Sequence, residues 1–210
     1  MSFFKKSIKK IYEPDKCASF EKVSYDQFKK DFIKLFGEET ISEEKIETMY
    51  NSIELPKRST KKSAGYDFVS PFGFNLHVNQ NIVIPTGIRA KMDDDIYLSL
   101  YPRSGMGFKY RLMLANTAGI IDADYYESDN EGHIMAKICY EGIEPIVKIE
   151  NTTDEKIHFE CIDNKESFTY EPLVINQGDK FIQGIFNIYG ITEDDNAFEK
   201  RIGGFGSTGK

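Results

Sequence analysis

The hydrophobic rhythm of the chain changes near residue 55. Before it, apolar residues recur at helical spacing: Phe28, Phe32 and Leu35 share one stripe, as residues three and four apart do on a helix. Ser24 followed three positions later by Gln27 reads as an S-x-x-Q capping box, and Gly37 as the C-terminal stop. A second helix is predicted from near Ser42, with Ile46, Met49, Tyr50 and Ile53 on one face. Two short amphipathic helices are not stable alone. Their stripes must pack on the rest of the molecule or on a partner.

From Glu54 onward the pattern is one of short strands bounded by Gly, Pro, Asn or Asp: FNLHV, NIVIPTGI, IYLSLYP, HIMAKICYE, IVKIENT, KIHFECI and PLVINQG. Many short strands at this spacing predict an antiparallel sandwich or jelly-roll-like barrel. The expected fold class is therefore mainly β, a jelly-roll-like antiparallel body with an N-terminal α-helical extension over 1–53. Residues 85–87 (PTG) and Pro102 punctuate corners. The tail GGFGSTGK is too rich in glycine for a strand and should be mobile unless a ligand orders it.

Composition narrows the function. A chain of 210 residues is one full domain with appendages. The net charge of −7 argues against general nucleic-acid binding, which needs a basic footprint. Cys17, Cys139 and Cys161 form no C-x-x-C pair, and His77, His133 and His158 are scattered. Neither a disulfide scaffold nor a zinc site is expected, and a reducing cytoplasm is the natural compartment. No apolar run approaches the roughly 20 residues of a membrane helix. The start MSFFKKSIKKIY lacks the long apolar core of a secretory signal.

Candidate chemistry lies in five segments. In NTAGIIDADY (116–125) an extended backbone would put Asp122 and Asp124 on one face. Tyr125 would turn the other way unless a bend re-aims it. Such a carboxylate can take a proton from a water or ligand. In YPRSGMGFK (101–109), Arg103 offers a fork and Ser104 a hydroxyl for phosphate, while Gly105 and Gly107 allow close approach to the backbone. AGYDF contributes Asp67. In GDKFIQGIF, Gln183 stands alone among apolar neighbours and is either a strand-edge residue or a ligand contact. The tail lacks the Ser or Thr after Lys210, and the following helix, that a G-x-x-x-x-G-K-[ST] phosphate loop needs. Its glycines with Ser207 and Thr208 can still wrap phosphates, and Phe205 can stack on a base.

Taken in order, AGYDF, PRSG, NTAGIIDADY, GDKFIQ and GGFGSTG resemble the five motifs of the trimeric dUTPase family, across roughly 55–210. The segment YYESDNEGHI resembles the bacteriophage and Gram-positive branch. The resemblance implies a jelly-roll subunit over 54–198, a homotrimer with three shared sites, and hydrolysis of dUTP to dUMP and pyrophosphate with Mg²⁺. It implies Asp122 as the base that activates water for attack on the α-phosphate, and Tyr125 packed under the deoxyribose. Asn116 and the backbone of 118–121, including Gly119 and Ile121, would read uracil. Arg103, Ser104 and Gly105 would hold phosphates, Gln183 the phosphate and metal-water shell, and Asp67 the metal's outer shell. In the terminal arm, 199–210, Phe205 would stack on uracil while Gly206, Ser207 and Thr208 close over the phosphates. For the γ-phosphate, Arg201 is favoured over Lys200 for its fork geometry.

Against a minimal member of that family, 1–53 and an insertion about 150–176 are extra, and the insertions could contact a regulatory protein. The alternative within the same fold is a dCTP deaminase, whose base would be a Glu and which must recognise a 4-amino group. Asp122 with Tyr125 favours the diphosphatase.

Overall fold

In a computed structural model, the structure describes residues 16–142, 147–151, 158–161, 172–199, 201 and 203. The N-terminal elements are β1 (Ala18–Lys22), α1 (Tyr25–Phe36) and α2 (Glu43–Ser52). The strands β2 (Lys57–Arg58), β3 (Tyr66–Val69), β4 (Phe74–Leu76), β5 (Asn81–Pro85), β6 (Ile88–Met92) and β7 (Ile96–Pro102) follow. A short helix α3 (Ser104–Tyr110) precedes β8 (Leu112–Leu114), β9 (Gly119–Ile121) and β10 (Met135–Tyr140). The chain closes with β11 (Val147–Asn151), β12 (His158–Cys161), β13 (Leu173–Ile175) and β14 (Lys180–Ile188).

Every described strand pairing is antiparallel. The largest sheet runs β2-β3-β14-β7-β9, and β5-β10-β8 forms a second. Alternation fixes which face each strand buries: Ala136, Ile138 and Tyr140 of β10 point inward while Lys137 points out. The architecture is the mainly β, jelly-roll-like body that the strand spacing predicts. No helix among the described residues is long and apolar enough to cross a membrane.

The helices join the same core. Phe28 and Phe32 of α1, Ile46 of α2 and Ile53 belong to one hydrophobic cluster with Phe68, Leu98, Leu100, Ile138 and Phe181. Burying each such side chain stabilises the fold by roughly 1.5–3 kcal/mol. Leu35, assigned to the same stripe by spacing, is instead more than a third exposed at the end of the helix.

Two local expectations are corrected. The segment before 55 is not wholly helical: ASFEK forms β1 against β6, because Phe20 finds an aromatic nest of Tyr66, Phe68 and Phe186 at 5.4–5.5 Å. After Pro102 the chain turns into helix α3, ended by Arg111 in the left-handed region. The capping box of α1 is half made. Ser24 Oγ accepts from the Gln27 N–H at 3.1 Å, but the Gln27 amide turns to Asp31. Glu131, from far along the chain, takes the Ser24 N–H instead.

Candidate active site

The sequence motifs fold into two clusters. The first centres on β14, which lies between β3 and β7 and sets Gln183 opposite Asp67 on one side and Tyr101 on the other. Asp67 is only 8% exposed. Its Oδ1 accepts from Arg103 Nε at 2.9 Å. Its Oδ2 accepts from Ser59 Oγ at 2.6 Å and Lys180 Nζ at 2.9 Å. Burial alone would raise the Asp67 pKa. The hydrogen bonds from Ser59 and Lys180 and the charge of Arg103 outweigh it and hold the carboxyl below its ordinary range.

Asp67 thus fixes two cations, Arg103 and Lys180, on the wall of a cavity of about 490 Å³ that Met106 and Tyr110 also line. Gln183 Nε2 donates to the Pro102 carbonyl at 3.3 Å. A Cβ added at Gly105 would meet nothing within 4 Å, so packing inside this chain does not require that glycine. Ser59 and Lys180 were not singled out from the sequence. Lys180 lies within the GDKFIQ motif and could have been found there; Ser59 carried no signal.

The second cluster is the hairpin of β8 and β9 with the turn after it. A cavity of about 360 Å³, mostly apolar, is bordered by Leu100, Leu114, Asn116, Gly119 and Lys137. Gly119 has a packing reason of its own, since an added Cβ would lie 3.1 Å from Leu100 Cβ. Ile121 is buried in the core, so any part it plays toward a ligand is through its backbone.

After β9 the chain does not stay extended. Residues Ala123–Glu127 wind into a 3-10 turn, which is the bend that re-aims Tyr125. The Tyr125 ring is 3% exposed and its hydroxyl donates to the His133 carbonyl at 2.8 Å. Asp122 and Asp124 remain exposed and side by side.

Arg201 Nη1 bonds both, at 2.9 Å to Asp122 Oδ2 and 2.8 Å to Asp124 Oδ1. Its guanidinium lies over the Tyr125 ring, 5.3 Å from the centroid. Burial opposes the charge of Arg201, but the two carboxylates more than compensate and push its pKa up. Arg201 was expected on a phosphate; a fork takes the anions within reach, which here are the two aspartates. Phe205, Gly206, Ser207 and Thr208 lie outside the described residues, as does most of the segment about 150–176.

The two clusters do not meet within one chain. β7 and β9 pair as Leu98 with Ile121 and Leu100 with Gly119. Asp122 therefore lies beyond one end of this ladder and Arg103 beyond the other. The five steps from Leu98 to Arg103 span about 17 Å at strand rise.

A sequence model of the dUTPase family matches residues 51–154. The chain is also 36% identical over 160 residues to the deoxyuridine 5'-triphosphate nucleotidohydrolase of Lactococcus lactis subsp. lactis, covering 75% of this chain and 89% of the relative. The chain belongs to the dUTPase family. The dUTPase match takes in Asp67, Arg103, Asn116, Asp122 and Tyr125. The fold agrees with solved dUTPases. The Streptococcus mutans dUTPase superimposes with a TM-score of 0.52 at 24% identity, over 83% of this chain and 98% of that one. A Staphylococcus bacteriophage 80alpha dUTPase, solved with dUpNHpp, gives 0.53 at 17% identity over 88% and 98%.

Among the described residues no group of three or more His, Cys, Asp or Glu side chains could hold a metal ion. Both Asp67 oxygens are engaged, by Arg103 on one side and by Ser59 and Lys180 on the other.

Proposed function

We propose that this chain hydrolyses dUTP to dUMP and pyrophosphate, in a homotrimer whose sites each draw on more than one chain. The observation that carries the reading is Asp122, an exposed carboxylate at the lip of the hairpin next to the buried Tyr125 ring. Uracil enters beside Asn116 and the backbone of Gly119 and Ile121, where a rigid hairpin leaves no room for a 5-methyl group. The Tyr125 ring packs under the deoxyribose and excludes a 2′-hydroxyl.

In the reaction Asp122 takes one proton from a water whose oxygen bonds to the α-phosphorus. The bond from that phosphorus to the oxygen bridging to the β-phosphate breaks, and pyrophosphate leaves with the electron pair. Arg103, Ser104 and Gly105 hold the phosphates, and Gln183 reaches them. When bound with the triphosphate, Mg²⁺ would neutralise its charge and so ease attack on a polyanion, with Asp67 in its outer shell and Gln183 toward its water. Arg201 leaves Asp122 and Asp124 for the γ-phosphate, because it otherwise neutralises the base and covers the ring the sugar needs. Phe205 stacks on uracil while Gly206, Ser207 and Thr208 close over the phosphates.

The shared site is supported by geometry. Asp122 and Arg103 sit at opposite ends of the β7–β9 ladder, so the phosphate-holding cluster serving one Asp122 comes from another chain. The cytoplasm is the proposed compartment. A regulatory protein contact through the segment about 150–176 is a separate proposal, supported by the shared fold of the phage 80alpha protein, one of the dUTPases said to control transfer of virulence genes.

The test is pyrophosphate release from dUTP with Mg²⁺, beside dTTP, dCTP, UTP and ATP. Release from dUTP alone, abolished in Asp122→Asn, is expected. Ammonia release from dCTP, or unchanged turnover in Asp122→Asn, would overturn the assignment.

A further inference from the structure

The segment YYESDNEGHI does more than lengthen a hairpin. Its side chains converge on Tyr125 from behind and tie that residue to α1. Asn130 Nδ2 donates to the Tyr125 hydroxyl at 2.8 Å, while its carbonyl oxygen faces Ser128 Oγ at 2.7 Å, which orients the amide. The hydroxyl itself donates to the His133 carbonyl. Burial pushes the Tyr125 phenol up, so it stays protonated and able to donate. Its position is thereby set by two residues of one short loop.

That loop is in turn bolted to α1 at two points. The His133 ring is fully buried: Nε2 accepts the Gly87 N–H at 2.8 Å, so Nδ1 carries the proton and donates to Asp31 Oδ2 at 2.7 Å. Gln27 Nε2 donates to the same oxygen at 2.7 Å. Glu131 accepts from both the N–H (2.7 Å) and the hydroxyl (2.6 Å) of Ser24, the N-cap of α1. Gly132 stands between these ties with φ of 68°, and a Cβ there would lie 2.8 Å from Tyr125 O and Tyr126 Cα. No side chain larger than hydrogen fits.

We propose that Asn130 is a positioning residue for Tyr125, held in place through His133 by Asp31 of α1, and that this assembly sets the discrimination between deoxyribo- and ribonucleoside triphosphates. The inference rests on the reading that the Tyr125 ring faces the sugar. A ring that excludes one added oxygen atom must not drift, and a misplacement of about 1 Å near a reacting centre can cost on the order of 100-fold. The helical extension is then a splint for substrate selection as well as a cover for the core.

The experiment measures kcat and KM for dUTP and UTP in the full chain, in Tyr125→Ala, Tyr125→Phe, Asn130→Ala and the double variant Tyr125→Phe/Asn130→Ala. Asn130→Ala is expected to lower the dUTP-to-UTP ratio of kcat/KM about tenfold, as loss of one buried hydrogen bond would, and Tyr125→Phe, which also gives up the bond to the His133 carbonyl, at least as much. The change should fall mainly on KM. Because Tyr125→Phe already removes the bond that Asn130 makes, the double variant should lose no more than Tyr125→Phe alone. Should Asn130→Ala fail to fold, Tyr125→Phe removes the bond from the other side while keeping the ring. If Tyr125→Ala leaves the ratio intact, the reading of Tyr125 itself fails. If Tyr125→Ala collapses the ratio but Asn130→Ala and Tyr125→Phe keep it, or the two losses multiply, the positioning role is overturned.

Discussion

Gly65→Ala separates the site from the fold in one substitution. Gly65 lies beside β14, and a Cβ placed on it would sit 2.4 Å from Gln183 Oε1, with Gln183 Cδ at 3.3 Å and Cβ at 3.4 Å. The three nearest atoms all belong to that one side chain, and the backbone is outside the left-handed region. The Gln183 amide must therefore swing away, and being the end of a flexible side chain it can. What is lost is one long hydrogen bond to the Pro102 carbonyl, at 3.3 Å, worth at most about 0.5–1.5 kcal/mol. Replacing Gly by Ala recovers about 0.4–1 kcal/mol through the unfolded chain. The two nearly cancel. Stability should move by less than about 1 kcal/mol, a Tm shift under about 4 °C for a chain this long.

Activity should respond far more, since a displaced amide no longer meets the phosphates where Gln183 holds them. A fall in kcat/KM of about 10- to 100-fold is expected, matching Gln183→Ala in the same assay. Pyrophosphate release and a thermal melt at one fixed protein concentration suffice. Unchanged kcat/KM would remove Gln183 from the site. A large stability loss would refute the geometric argument.

Three further outcomes follow from the contacts described. Asp31→Ala strands the His133 Nδ1–H and the Gln27 amide in a buried setting, so a loss of about 2–4 kcal/mol is expected, or roughly 4–16 °C in Tm; a shift under about 2 °C would contradict the pairing. Gly132→Ala combines a left-handed backbone with a clash against main chain that cannot rotate away. It should cost about 2 kcal/mol or more and impair dUTP turnover, measured by denaturant melts and steady-state kinetics. Asp31, Asp67 and Glu131 all have folded pKa values below their ordinary range. Burial pushes each up, and their hydrogen bonds and paired charges pull it further down. A depressed carboxyl contributes stability above its unfolded pKa of about 4 and loses it as pH falls through the folded value. Melts should therefore weaken steadily below about pH 5, and Asp31→Asn should flatten part of that slope; an unchanged slope would show that Asp31 is not depressed.

Local spacing along the chain encodes the elements whose contacts are close in sequence. The stripe of Phe28 and Phe32, the cap at Ser24, the stop at Gly37 and the alternation in IYLSLYP and MAKICY each depend on neighbours a few residues away. So does the pairing of Asp122 with Asp124, which survives the 3-10 turn because residues two apart remain within reach of one guanidinium. The ordered motifs gave the family, because five segments of defined composition seldom recur in that order by chance.

The tertiary structure decided which polar groups satisfy one another across the chain. Glu131 completes the cap of Ser24 over 107 residues, and His133 closes on Asp31 over 102. Periodicity carries no trace of such partners, since a buried donor is satisfied by whatever acceptor the packing brings to it. The five residues of β1 were too few, with one aromatic among them, to outweigh the helical pattern after them until Phe20 met its nest on the sheet. The antiparallel ladder of β7 and β9 places Arg103 and Asp122 at its opposite ends, because each strand step adds a fixed length that a side chain cannot fold back.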